Sequence, residues 1–186
     1  MKLKIKDQLP DTEIFLLVDG EPQKSKLRKT IGNGKVVLFG LPGAFTSTCS
    51  KLHLPGFVAN ADKIKAKGIQ NIFCLSVNDP YVMNGWGEVN NTGDKIKMLS
   101  DPYLLFTKAI GAEVDRNAKV MGIRSNRYLI YLLNALLSNS NLFQIHYLVG
   151  PILSKVLYYL LLFYLQFSIH FFSNYVSTLL FQTLRI

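Results

Sequence analysis

The chain has 186 residues, 49% of them hydrophobic and 18% charged, which fits one globular domain with a full core and excludes disordered chains and large multidomain machinery. Lys and Arg outnumber Asp and Glu by 21 to 12, for a formal net charge of +9. The lysines are scattered (Lys2, Lys24, Lys35, Lys63 and Lys97 among them) with no nucleic-acid motif, so they read as a solvated surface and no nucleic-acid partner is expected.

In chain order, residues 1–6 alternate Lys with apolar residues and hold no apolar signal core, so no secretion signal is expected. Residues 14–18 form an apolar run that meets Asp19-Gly20, a strand ending in a turn. Residues 24–31 read as a basic connector or short helix, followed by a Gly32-Asn33-Gly34 turn. Residues 35–40 carry the unbroken β-branched and apolar pattern of a central strand buried on both faces. Leu41-Pro42-Gly43-Ala44-Phe45 then bends the chain, and the hydroxyls of Thr46-Ser47-Thr48-Cys49-Ser50 suit a helix N-terminus. That helix is expected to kink or stop near Pro55-Gly56, with a second helical stretch over residues 57–67 closed by Gly68. Residues 71–77 predict another buried strand, and Asn78-Asp79-Pro80 caps a helix running to about Val89. Residues 96–99 add a third central strand, Asp101-Pro102 opens a helix that runs through Ile110 and is closed by Gly111, and residues 128–132 read as a fourth strand. Strands alternating with helices predict an α/β sandwich whose central part is largely parallel.

The composition breaks near residue 130. Residues 131–186 contain no Asp or Glu, and only Lys155 and Arg185 are charged. This divides the chain into a soluble-type domain over 1–130 and a hydrophobic extension over 131–186.

The two cysteines, Cys49 and Cys74, are not spaced as C-x-x-C, and His53, His146 and His170 have no metal-ligand spacing. No metal and no bound cofactor are expected, and reduced thiols place the protein in the cytoplasm or an organelle matrix. A cysteine reacts as a nucleophile only as its thiolate, and Cys49 sits where a buried strand hands over to a helix, so unpaired backbone N–H groups favour its charge. A buried cysteine acting as a small hydrophobe is the competing reading.

The local motif adds to this. Pro42-Gly43-Ala44-Phe45-Thr46-Ser47-Thr48-Cys49 matches P-x-x-x-T-x-x-C, and Cys49-Ser50-Lys51-Leu52-His53-Leu54-Pro55-Gly56-Phe57 follows it. With Leu75-Ser76-Val77-Asn78-Asp79, Trp86-Gly87, Leu99-Ser100-Asp101 and the 122–128 run that ends in Arg127-Tyr128, the first 130 residues or so resemble the type II/peroxiredoxin-5 group of the peroxiredoxins. The resemblance implies a thioredoxin-like α/β fold with a mixed central sheet and a thiol-dependent peroxidase that reduces hydrogen peroxide and organic hydroperoxides. It makes Cys49 the peroxidatic thiol that becomes a sulfenic acid, Thr46 its hydroxyl partner, Pro42 its shield, and Arg127 the counter-charge, with Arg124 competing for that role. His53, one helical turn beyond Cys49, is a supporting candidate. Cys74 is either a resolving or a structural thiol, and glutaredoxin, thioredoxin or glutathione is the expected external reductant. A homodimer is implied.

After the arginine, the resemblance ends. Residues 156–172 are nearly continuous in apolar residues, and the tail has three readings: a membrane anchor, a packed helical extension, or a non-native end such as read-through translation. Long Leu, Phe and Tyr runs without turn signals favour helices, so the C-terminal part is expected to be helical, to form no closing hairpin and to leave residues 128–132 near a sheet edge. The alternative function is then a catalytically impaired redoxin domain held or packed through its tail.

Overall fold

A computed structural model describes residue 3, residues 7–133 and residues 144–146. The readings made for the N-terminal lysines and for most of the tail, anchor and extension included, lie outside these residues. Among the described residues, no helix is long and apolar enough to cross a membrane.

Strands β1 (Glu13–Val18), β2 (Glu21–Lys26), β3 (Lys35–Gly40), β4 (Asn71–Ser76), β5 (Lys97–Ser100), β8 (Tyr128–Leu133) and β9 (Gln144–His146) form one mixed sheet in the order β2-β1-β5-β4-β3-β8-β9. β3, β4 and β5 are mutually parallel, as the alternation with helices predicts. A second, two-stranded sheet pairs β6 (Glu113–Asp115) antiparallel with β7 (Ile123–Ser125). Helix α1 (Leu27–Ile31), α2 (Leu54–Lys65), α3 (Pro80–Val89) and α4 (Leu105–Ala109) flank the main sheet.

Successive side chains of a strand point to opposite faces, so the sheet sorts its residues by parity. Val36 and Leu38 of β3, Phe73 and Leu75 of β4, and Ile130 and Leu132 of β8 share a core with Leu27 and Ile31 of α1, Phe106 of α4 and Ile110 just beyond it. Phe39 and its register partner Cys74 take the opposite face. There Phe39 stacks on Phe57 of α2, ring centroids 3.9 Å apart and planes within 3° of parallel. Both rings are fully out of water, and each such burial stabilises the fold by about 2 kcal/mol.

Three elements depart from the sequence reading. The basic stretch before α1 is an edge strand: Glu21–Lys26 pairs with β1 along six residues, Val18↔Glu21 through Glu13↔Lys26. Its exposed Glu, Gln and Lys carry no apolar alternation to reveal it, and Pro22 and the lysines are what an edge strand tolerates and uses against edge-to-edge aggregation. The expected break at Pro55-Gly56 does not occur. Cys49–His53 forms a π turn that runs directly into α2, with the Leu54 N–H bonded to the Cys49 carbonyl. Proline has no N–H for an α-helical bond four residues back, and the wider turn just before Pro55 absorbs the mismatch without ending the helix. Finally α4 begins at Leu105 rather than at Asp101-Pro102, because Leu104 takes a left-handed backbone (φ 57°) and Asp101 caps the helix from a distance through the Phe106 and Thr107 N–H groups.

The expectation for the region after residue 130 also needs correction. β8 crosses that point and pairs antiparallel with β3 over six residues, while β9 covers its other side through Leu129↔His146, Ile130↔Ile145 and Tyr131↔Gln144. The 128–132 segment is therefore not a sheet edge, and residues 144–146 form a strand rather than a helix. Apolar runs of this kind lack period, so a buried strand and a buried helix look alike in them.

Candidate active site

The site grows from the C-terminal end of β3. Gly40 faces Tyr128 across the β3–β8 ladder, and a Cβ there would lie 2.1 Å from the phenol ring, so only glycine lets the two strands close. The chain then leaves the sheet through Leu41, whose N–H still bonds the Leu75 carbonyl at 3.2 Å. Three side chains hold the bend that follows. Asn78 Oδ1 accepts the Ala44 N–H and the Ser76 hydroxyl, each at 2.9 Å. Arg124 donates Nη1 to the Pro42 carbonyl at 3.4 Å and Nε to the Met121 carbonyl at 2.6 Å. Thr46 donates its hydroxyl to the Gly43 carbonyl at 3.0 Å. Gly43 is boxed in by this arrangement, since a Cβ would come within 2.9 Å of Arg124 Nη1 and 3.3 Å of Asn78 Oδ1.

Helical backbone begins at Ser47, and the Ser50 N–H returns to the Thr46 carbonyl at 2.9 Å. Cys49 thus lies in the first turn, where helix N–H groups have no intrahelical partner and the dipole favours negative charge. Its thiol is fully buried. Arg127, from the short link between β7 and β8, donates Nη2 to Cys49 Sγ at 3.5 Å. Of the two arginines in the motif, Arg127 is therefore the one at the sulfur, and Arg124 braces the bend.

His53 lies one turn beyond Cys49 and is 5% exposed, its ring 5.5 Å from Phe39 and 5.7 Å from Phe57. Burial first, and the Arg127 charge second, lower its pKa to about 4, so the imidazole is neutral across the physiological range. Cys74 is buried in the middle of β4, on the face that carries Phe39, and burial together with the nearby Cys49 pushes its thiol well above the usual range. Among the described residues, both cysteines are free and no group of three His, Cys, Asp or Glu side chains could hold a metal.

Sequence reasoning missed three supports. Asn78, Ser50 and Trp86 all fall in the matched motifs, with Asn78 also a helix-capping residue and Ser50 part of a hydroxyl-rich helix start, but the sequence assigns none of them a role in holding the site. Trp86 is fully buried and donates Nε1 to Ser50 Oγ at 3.0 Å, tying α3 to the residue after Cys49. None of the three announces itself by spacing, because each acts across 34 to 36 residues of chain.

A mixed sheet flanked by helices, with a cysteine in the first turn after a central strand, defines the redoxin class, and the redoxin family model matches residues 4–131. Among curated proteins, peroxiredoxin-2C of Oryza sativa subsp. japonica is 41% identical over 138 residues, 73% of this chain and 85% of that one. Peroxiredoxin-2D of Arabidopsis thaliana is 39% identical over 140 residues, 75% and 86% of the two chains. Reduced Prx3 in complex with H2O2 from Vibrio vulnificus superimposes with a TM-score of 0.72 at 34% identity, covering 82% of this chain and 98% of that one. The chain belongs to the peroxiredoxins, in their type II/peroxiredoxin-5 group. It is a thiol peroxidase, an antioxidant enzyme that acts on a peroxide and takes its reducing equivalents from a thiol.

Proposed function

We propose that Cys49 is the peroxidatic thiol and that it attacks as a thiolate. Its sulfur bonds to the terminal oxygen of a hydroperoxide, the O–O bond breaks, and the departing alkoxide or hydroxide leaves as alcohol or water with one proton. Cys49 is oxidised to a sulfenic acid and the peroxide is reduced. The reading rests above all on the Arg127 Nη2 contact with Cys49 Sγ at 3.5 Å. A guanidinium keeps its charge at every relevant pH, so it stabilises the thiolate and polarises the bound peroxide without titrating. The Thr46 hydroxyl, whose proton is committed to the Gly43 carbonyl, has its lone pairs left to receive the O–H of the peroxide and orient it for attack. Pro42 closes the bend above the sulfur and limits water.

A second thiol condenses with the sulfenic acid, expelling water and leaving a disulfide on Cys49, and a further thiol releases Cys49 reduced. Glutaredoxin, thioredoxin or glutathione supplies these equivalents. The buried position and raised pKa of Cys74 favour a structural role over a resolving one in the closed fold. The domain over 1–130 carries the chemistry, and the extension over 131–186, which has no Cys, Asp or Glu, adds no catalytic group. A reducing compartment, cytosol or organelle matrix, fits two free thiols.

A homodimer is supported by apolar side chains in solvent near the site: Phe45 and Leu52 are exposed, Ile123 is 41% exposed and Val120 is 97% exposed. The 120–124 segment is tied to the 42–45 bend by Arg124, so Phe45, Val120 and Ile123 come from adjoining segments. Val120→Glu is expected to shift sedimentation toward monomer, and an unchanged dimer would place the interface elsewhere. For the peroxidase reading, the test is sulfenate trapping with a dimedone-type probe after one equivalent of hydrogen peroxide, with label expected on Cys49 alone.

A further inference from the structure

Two buried polar atoms around the sulfur have no partner among the described residues. One is Nε of Arg127, a donor, and the other is Nδ1 of His53, an acceptor in the neutral ring when Nε2 carries the proton. Leaving a donor and an acceptor unpaired in the same dry region is costly, and buried polar groups are nearly always satisfied by protein or by ordered water. The two side chains are close enough for the Arg127 charge to act on the His53 ring. No carboxylate among the described residues forms an ion pair with Arg127, so the guanidinium has nothing acidic to orient it.

We infer that His53 is a positioning residue for Arg127: one ordered water accepts the Arg127 Nε–H and donates to His53 Nδ1, and so fixes the planar fork whose Nη2 meets Cys49 Sγ. The role follows from the shape of the guanidinium. Its donors share one plane, so holding Nε sets the direction in which Nη2 points, and only that end reaches the sulfur. His53 itself is fixed from two sides, by Phe39 and by Phe57, and it rides on the π turn that carries Cys49. A protonated imidazole could neither accept the bond nor tolerate the cation, and the buried ring stays neutral well below neutral pH. The acceptor, the arginine and the nucleophile therefore move as one body.

This role presupposes the proposed pairing of Arg127 with Cys49, and the experiment separates the two. In a Cys74→Ser background, so that one thiol is followed, the second-order rate with hydrogen peroxide and the ultraviolet thiolate titration are measured for His53→Phe, His53→Asn, Arg127→Gln and the double variant His53→Phe/Arg127→Gln. His53→Phe keeps an aromatic ring but loses the acceptor, and is expected to slow oxidation about tenfold and raise the thiolate midpoint, while His53→Asn, with an amide oxygen near the Nδ1 position, stays within about threefold of the parent. On the Arg127→Gln background His53→Phe is expected to cost less than about twofold, because there is no guanidinium left to aim. An equal slowing by His53→Phe with and without Arg127 would show a packing role and overturn the inference, as would equal slowing by Asn and Phe. If Arg127→Gln alone oxidises at the parent rate, the pairing of Arg127 with Cys49 falls, and the positioning role falls with it.

Discussion

Cys49 and Cys74 make a controlled comparison inside one molecule. Both thiols are fully buried, and each sits on or beside one of the two central strands, yet their surroundings oppose one another. Cys49 occupies the first turn of a helix and receives a guanidinium N–H. Cys74 sits mid-strand between Phe39 and Met98 in register, and burial and its neighbour push its pKa up. Burial therefore says little about the reactivity of a cysteine. What distinguishes the two is whether the backbone and a fixed cation have been turned toward the sulfur.

The largest expected effect tests that contrast directly. Cys49→Ser abolishes peroxide consumption, whereas Cys74→Ser leaves the first oxidation at its parent rate; mass spectrometry of trapped sulfenate reads both, and preferential labelling of Cys74 in the unmodified chain would break the comparison. Next in size are the groups that face only Cys49. Thr46→Val and Arg127→Gln are each expected to slow oxidation by a factor on the order of 10² or more, since each removes a fixed polar group aimed at the transition state. Stopped-flow rates within a fewfold of the parent would mean that these groups do not act on the reacting atoms.

A third effect concerns stability rather than rate. The His53 pKa is about 4 in the fold against 6.5 for an unperturbed histidine, so the unfolded chain binds the extra proton first on acidification. The contribution of the neutral ring is fully present above pH 6.5, is lost progressively as the pH falls toward 4, and changes no further below that; by pH 5 about 2 kcal/mol is gone. Urea unfolding at several pH values measures it, and His53→Phe is expected to flatten the slope over that interval. A slope unaltered by His53→Phe would assign the acid sensitivity to other groups. Smallest is Ser50→Ala, which removes the acceptor of the Trp86 indole and is expected to lower stability by about 1 kcal/mol in thermal or urea melts. No loss at all would show that the bond to α3 does not hold the Cys49 turn.

The sequence exposed the parts of this molecule that obey local rules. Strand β3 was legible from residues 35–40 because it is apolar on both faces, and α3 because Asp79 accepts the Val82 N–H and Pro80 suits the first turn. The bend and the helical turn that carries Cys49 were legible in the 42–49 motif. Interactions that cross the fold were not. β2 is a strand only because β1 offers it a ladder, and Asn78, Ser50 and Trp86 act on the site from distant elements. The motif favoured Arg127 with Arg124 still competing, and that Arg127 is the one in contact with Cys49 Sγ while Arg124 holds the Pro42 carbonyl needed three dimensions. After residue 130 an aperiodic apolar run hid the strand that pairs with β8.

The hydrogen bond between Trp86 and Ser50 has an optical consequence. The chain contains a single tryptophan, so its tryptophan fluorescence, excited to the red of tyrosine absorption, comes from one address, a fully buried indole bonded to the residue next to Cys49. Any event that unwinds the turn bearing Cys49 must break that bond and change the polarity around the ring. The protein carries a built-in dye beside Cys49, and the colour and intensity of its emission follow the state of that turn in real time without a label.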